Sequence, residues 1–227
     1  MSQRGIYFNR LCDKISQRVA MSFVVLSQRL DWISNRNETR ESLDLNLIRF
    51  FSDCDLDVFP ISNCLVSYHG KRSLGQFLER INPDGVVLSG GQDYGVDALR
   101  DRTEFELLDF AIQKGKPVLG ICRGMQVLGI YFGSRLKEVR GHAKVRHKIF
   151  GHISRDVNSF HRFALANCPE GFEVTARDEN GFIEAIQDVR RRLYGWMWHP
   201  ERETEFKKDD IRQVTKIFGK EISHPMS

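Results

Sequence analysis

Cys122 stands between Gly120 and Gly124, two residues from each. The stretch from Lys116 up to it reads as a short buried strand, and a helix pattern follows to about Phe132. A Gly-x-nucleophile-x-Gly pattern at a strand-to-helix joint is a nucleophile elbow, here with cysteine in the nucleophile's place. Such a turn strains the nucleophile's backbone, so the flanking positions can hardly bear side chains. The thiol then sits at a helix N-terminus, where the dipole and unpaired N–H groups favour the reactive thiolate. The same residues also fit a buried, inert cysteine between two packing glycines.

Two further groups supply what a nucleophile needs. His199 and Glu201 lie two apart in Trp198-His-Pro-Glu201, so on an extended segment their side chains leave one face. A carboxylate beside an imidazole fixes its tautomer and supports the imidazolium. Gly90 and Gly91 follow the apolar run Gly85–Leu88 and can present backbone N–H groups. Thiol, histidine–carboxylate pair and N–H donors are together the parts for acyl transfer through a thioester. Arg29, after the first strand, is placed to meet an anionic group, and fits a surface arginine equally well. His142 and His147 lack an acidic or cysteine partner at a recognised metal-binding spacing, so they read as ordinary surface or loop histidines, and no metal is expected.

The elements that must position these residues follow from periodicity. Phe23–Leu26, Asp57–Pro60 and Gly85–Leu88 read as strands. Leu43, Leu47 and Phe50 mark one helix face, which Asn37 or Thr39 would cap after a polar, flexible stretch. Helices are also expected over 74–80, 101–114 and 209–218. Residues 61–73 read as irregular. Strand and helix alternate with short connections as far as Cys122, which argues for a parallel sheet. In such sheets the ligand lies beyond the carboxyl ends of the strands, where Cys122 and Gly90–Gly91 fall. After Ser134 strand-like runs crowd together, at 148–150, 173–176, 183–186 and 194–198, and read as an antiparallel addition. Trp196 and Trp198 there are better explained, at least one of them, by core packing than by stacking on a ligand.

Composition narrows the class. A chain of 227 residues with 41% apolar and 28% charged residues can bury one substantial core. No apolar run approaches the ~18 residues of a membrane span. Residues 1–20 carry scattered charge and no apolar centre; they read as a disordered extension before a domain over 21–227, with Met21 an alternative start. Five cysteines without a Cys-x-x-Cys pair fit a reducing compartment, hence the cytoplasm. A net charge of +4 admits an anionic substrate without arguing for nucleic acid; Arg190–Arg192 reads as a solvated turn.

At this point the chain resembles the class I glutamine amidotransferases, and within them the gamma-glutamyl hydrolase branch that includes gamma-glutamyl-GABA hydrolases. The residues that carry the resemblance are Leu88-Ser-Gly-Gly-Gln-Asp93, Arg100-Asp101 with Glu104, Pro117–Gln126, Asn158-Ser-Phe-His161, Gly181–Ala185 and Trp198-His-Pro-Glu201, in that order. The resemblance implies a flavodoxin-like α/β fold with a mainly parallel central sheet flanked by helices. It implies that Cys122 attacks the γ-carbonyl of a glutamine-like amide, that His199 moves the proton and that Glu201 orients His199. The backbone N–H groups of Gly91 and Arg123 would hold the oxyanion, a contribution of roughly 10²–10³-fold in rate per donor. Gly90, Gln126, Ser159 and His161 would contact the glutamyl group; helix packing for Gln126 and loop hydrogen bonding for Ser159 and His161 are the competing readings. No cofactor is implied. The partner expected is a small-molecule γ-glutamyl substrate, with no nucleic acid and no membrane; a homodimer is admissible, and oligomeric state is otherwise unreadable.

Ser27–Arg29, Asn37–Arg40, the short length and the Trp-His-Pro-Glu-Arg ending are similar to the gamma-glutamyl-CDP-amidate hydrolases of that branch. A glutaminase subunit that passes ammonia to a separate synthetase is the main competing expectation, with no synthetase domain after residue 227. A non-catalytic or redox-sensing relative is a more distant one, and a cysteine peptidase more distant still.

Overall fold

The computed structural model describes residues 22–66 and 73–219. The extension expected over 1–20 lies outside these residues, as does part of the irregular stretch at 61–73. In chain order the strands are β1 (Ser22–Ser27), β2 (Arg29–Ile33), β3 (Glu38–Ser42), β4 (Leu56–Ile61), β5 (Gly85–Leu88), β6 (Val118–Ile121), β7 (Leu136–Glu138), β8 (Ala143–Gly151), β9 (Arg155–Phe160), β10 (Phe163–Leu165), β11 (Glu173–Asp178), β12 (Ile183–Asp188) and β13 (Leu193–Trp196). The α-helices are α1 (Leu45–Asp53), α2 (Leu74–Ile81), α3 (Ala98–Lys114), α4 (Arg123–Tyr131) and α5 (Lys208–Phe218).

Nine strands form one sheet in the order β4-β1-β5-β6-β13-β12-β11-β8-β9. Pairing is parallel from β4 through β13 and antiparallel from β13 through β9. The parallel strands are apolar on both faces, as a sheet covered on both sides requires. Val24 and Leu26 face one core layer with Phe50 and Phe51 of α1 and Val214 and Phe218 of α5. Val25, Val86 and Leu88 face the other, with Leu78 of α2, Leu107 and Leu108 of α3 and Leu128 of α4. The expected α/β class and its antiparallel addition are therefore present.

Two local readings are corrected. The stretch over 27–40, read as a polar, flexible loop, lies largely in an antiparallel β2–β3 hairpin over 29–42, around a turn with Asn37 in the left-handed region. The cap of α1 is Asp44, whose carboxylate accepts from the Asn46 N–H; neither Asn37 nor Thr39 serves. Arg190–Arg192 does form the turn between β12 and β13. Among the described residues no helix is long and apolar enough to cross a membrane.

Candidate active site

β5, β6 and β13 are parallel neighbours, and the functional segments leave their carboxyl ends together. Leu88 pairs with Gly120, and Trp196 with Ile121, so the Gly90–Gly91 loop, Cys122 and the His199 segment converge by register alone.

Cys122 sits between β6 and α4 with φ 51° and ψ −104°. A non-glycine residue at positive φ stores strain, and such outliers concentrate at functional sites. Its N–H donates to the Trp196 carbonyl at 2.7 Å and its carbonyl accepts from Gln126 at 3.1 Å, which fixes the turn from both sides. The flanking glycines are dictated by packing. A Cβ on Gly124 would fall 2.1 Å from the Leu88 carbonyl oxygen, and one on Gly120 would fall 2.5 Å from the Gly124 backbone. Arg123 is the first residue of α4, where backbone N–H groups lack an intrahelical acceptor.

His199 and Glu201 are both buried, and Nδ1 of His199 is 2.6 Å from Oε1 of Glu201. Burial alone would depress the imidazole. The Cys122 thiolate and the Glu201 carboxylate outweigh it and raise His199 to about 10. The raised value favours a protonated imidazole beside the Cys122 side chain.

The loop that carries Gly90 and Gly91 is held from below by a buried ionic network. Arg100 donates to the carbonyls of Ser89 and Gly90, each at 2.9 Å, and through Nε to Glu104 at 3.1 Å. Glu104 also accepts from Ser27 at 2.8 Å and pairs with Arg123, which in turn pairs with Asp101. One set of charges thus ties the glycine loop to the first turn of α4. The sequence marks Arg100, Asp101 and Glu104 only as matched positions. Their charge spacing on α3 is the local signal; Arg123, the partner that Asp101 and Glu104 share, comes from another helix and leaves none.

A cleft of about 310 Å³ reaches Gly90, Gly91, His199 and Glu201, with Arg29 and Arg202 at its wall. Arg29 is half exposed and chelates Asp31. Gln126, Ser159 and His161 are buried and turned to protein partners. Gln126 donates to the Phe163 carbonyl at 2.9 Å, Ser159 to the His142 carbonyl at 2.6 Å, and His161 to the Phe163 carbonyl at 3.0 Å. Asn158, to which its sequence neighbourhood assigns no role, receives the His199 N–H at 3.0 Å and donates to the His199 carbonyl at 2.7 Å. Trp196 and Trp198 stack on each other, buried, with ring centroids 5.2 Å apart. A larger cavity of about 1210 Å³, lined by Tyr194, both tryptophans and Lys216, includes none of the three catalytic candidates.

The reading of His142 and His147 as surface or loop residues is corrected. They meet His161 and Glu184, with one ligand-capable atom of each within 4.8 Å of the others. Sequence spacing could not show this, because His161 and Glu184 arrive from other strands.

The chain matches the family model "Glutamine amidotransferase class-I" over residues 41–214. It is 33% identical to a putative glutamine amidotransferase of Schizosaccharomyces pombe over 53% of this chain and 62% of the relative, somewhat less than two thirds of that protein's length. It is 31% identical to the gamma-glutamyl-CDP-amidate hydrolase of Campylobacter jejuni over 80% of this chain and 90% of that one. It is 33% identical to the glutamine-hydrolysing GMP synthase of Aliarcobacter butzleri over 66% of this chain and 30% of the synthase. Its fold is similar to that of a putative GMP synthase subunit from Thermoplasma acidophilum, with a TM-score of 0.66 at 19% identity, covering 87% of this chain and 94% of that one. With the elbow, the histidine–glutamate pair and the parallel sheet in place, the chain belongs to the class I glutamine amidotransferase family.

Proposed function

We propose that this chain is a cysteine-dependent hydrolase of γ-glutamyl amides. The observation that carries the reading is the strained Cys122 beside a His199 whose raised pKa Cys122 and Glu201 both support, with Glu201 holding its ring at 2.6 Å. The Cys122 thiolate attacks the γ-carbonyl carbon, and the carbonyl π electrons move to oxygen. The N–H groups of Gly91 and Arg123 receive that oxyanion. Collapse of the tetrahedral adduct breaks the C–N bond, and the departing nitrogen takes the proton from His199. Neutral His199 then removes a proton from water, which attacks the thioester carbonyl. Glutamate leaves, and the thiolate–imidazolium pair is restored.

For the leaving group, the similarity over 90% of the Campylobacter jejuni hydrolase favours an amide whose nitrogen carries a cytidine-diphosphate group. The guanidinium groups of Arg29 and Arg202 at the cleft wall suit such an anionic group. A second reading, a glutaminase that delivers ammonia to a synthetase, draws on the similarity to GMP synthase. Purified protein separates the two. Supplied alone with γ-glutamyl amides, including nucleotide-linked ones, a hydrolase turns over and leaves glutamate; a partner-dependent glutaminase stays nearly silent on every one. Cys122→Ala must abolish turnover, and unchanged turnover in that variant would sink the mechanism.

A further inference from the structure

The antiparallel end of the sheet holds a second cluster of chemistry-bearing side chains that the thioester mechanism does not use. His142 precedes β8, His147 lies within it, His161 follows β9, and Glu184 is on β12. His142 and His147 are five apart, an odd spacing that sends side chains to opposite faces of a regular strand. A bulge at Lys144, with φ 59° and a register shift between Ala143 and Val145, restores them to one face.

One hydrogen bond fixes a tautomer in the cluster. Nδ1 of His161 lies 3.0 Å from the Phe163 carbonyl, and a carbonyl only accepts, so Nδ1 carries the proton and Nε2 keeps its lone pair. That Nε2 lies 3.3 Å from Nδ1 of His142, whose Nε2 is 3.3 Å from the Asp178 carboxylate. Among the described residues, Oε1 of Glu184, a residue only 1% exposed, has no hydrogen-bond partner, and neither has Nε2 of His147. An imidazole lone pair, a second unpartnered imidazole nitrogen and an orphaned carboxylate oxygen gathered in one buried site suit a cation.

The spacing fits one. A tetrahedral zinc with bonds of roughly 2.0–2.1 Å places its ligands roughly 3.3–3.4 Å apart. The separations are 3.3 Å from His142 to His161, 3.4 Å from His161 and 3.7 Å from His142 to Oε1 of Glu184, and 3.5 Å from His147 to Oε2 of Glu184, with one ligand atom of each residue within 4.8 Å of the others. Asp178 and the Phe163 carbonyl orient two of the imidazoles from behind, as outer partners of metal-bound histidines do.

We infer that His142, His147, His161 and Glu184 bind one structural zinc ion, which joins β8, the end of β9 and β12. Four protein ligands close the coordination sphere, so the ion holds structure and leaves no open position for substrate. Its reach to the catalytic centre is through β9, where Asn158 grips the His199 backbone.

The test is metal content. Protein purified without immobilised-metal columns is dialysed against zinc chloride, then against metal-free buffer, and analysed by plasma mass spectrometry. About one zinc per chain is expected in the native protein and in Cys122→Ala, with Glu184→Gln and His147→Gln each losing most of it. Chelation of the native protein should lower Tm by roughly 5–10 °C, with recovery on adding zinc. Should the ligand variants fail to fold, cobalt(II) loaded into native protein and into Cys122→Ala decides the matter. Identical tetrahedral visible spectra without a thiolate charge-transfer band support the site. A native chain that holds no zinc after dialysis, zinc retained in full by Glu184→Gln, or a cobalt thiolate band that vanishes in Cys122→Ala each overturns it.

Discussion

The backbone of Gly90 lies against the imidazole of His199: a Cβ at position 90 would fall 2.6 Å from Cε1 of that ring. The proposed oxyanion loop is thus packed closely against the ring of the proposed base. Gly90→Ala forces His199 away from Cys122 while leaving the sheet beneath untouched. A displacement near 1 Å at reacting atoms costs roughly 10²-fold in rate. Gly90→Ala is expected to lose about that much in kcat with little change in Tm; kcat within threefold of the native value would contradict the contact.

The protonation of His199 gives the enzyme its alkaline limit. Turnover requires imidazolium to protonate the departing nitrogen, and His199 is raised to about 10 by Cys122 and Glu201 against the opposing effect of burial. The kcat/KM profile should therefore stay flat through neutral pH and fall with an apparent pKa near 10, a value belonging to the coupled pair. Glu201→Gln removes one supporting charge and should bring that limb down toward neutrality. The same shift bears on stability. A folded-state value above the ordinary 6.5 contributes stabilisation that is complete below about 6.5 and is lost as pH rises toward 10. Denaturant titrations at pH 7 and pH 10 should show a larger drop for the native protein than for Cys122→Ala. An alkaline limb near 6.5 in the native enzyme would show that the ion pair does not form.

Arg100 and Glu104 are almost wholly buried, and both carry their charge into the space beneath the oxyanion loop. Removing Arg100 leaves Glu104 with Arg123 and Ser27 but takes a charge out of a buried ionic network, a loss of up to about 3–5 kcal/mol. Arg100→Met is expected to lower unfolding free energy by about that amount and to free the carbonyls of Ser89 and Gly90. Arg102 and Glu106 pair at the same helical spacing on the exposed face of α3, and Arg102→Met should cost less than about 1 kcal/mol. Chemical denaturation of the two variants side by side checks the ordering; equal losses would mean that burial does not set the cost.

What is legible in the sequence is what local geometry dictates. The elbow needs small residues at two fixed offsets, so Gly120, Cys122 and Gly124 announce it within five positions. His199 and Glu201 lie two apart on an extended segment, so their pairing is also local. The alternation of apolar runs and helices up to Cys122 marks the parallel strands. The β2–β3 hairpin escapes because its residues are largely polar and half exposed, which leaves no apolar period to read. The histidine cluster escapes for a different reason. Its members come from three segments, and the bulge at Lys144 reverses the face that spacing alone assigns to His142. The family resemblance makes Gln126, Ser159 and His161 candidate substrate contacts; their hydrogen bonds to the Phe163 and His142 carbonyls are the packing and loop bonding that the sequence equally admits.

Asn158 touches His199 only through its backbone, receiving the N–H and donating to the carbonyl, with a further bond to Glu203 at 2.7 Å. It fixes where the histidine's main chain lies, while Glu201 fixes how its ring turns. Asn158→Leu keeps the volume and removes both backbone bonds, so the His199 segment shifts as a unit and carries Glu201 with it. Because the Nδ1–Oε1 bond moves intact, the imidazole keeps the support of Glu201 for its raised pKa and loses that of Cys122. The expected outcome is a kcat lower by roughly 10–10²-fold, with the alkaline limb lowered from about 10 but held above the ordinary 6.5 by Glu201. A kcat within threefold of the native value in Asn158→Leu would show that these backbone bonds do not place the base.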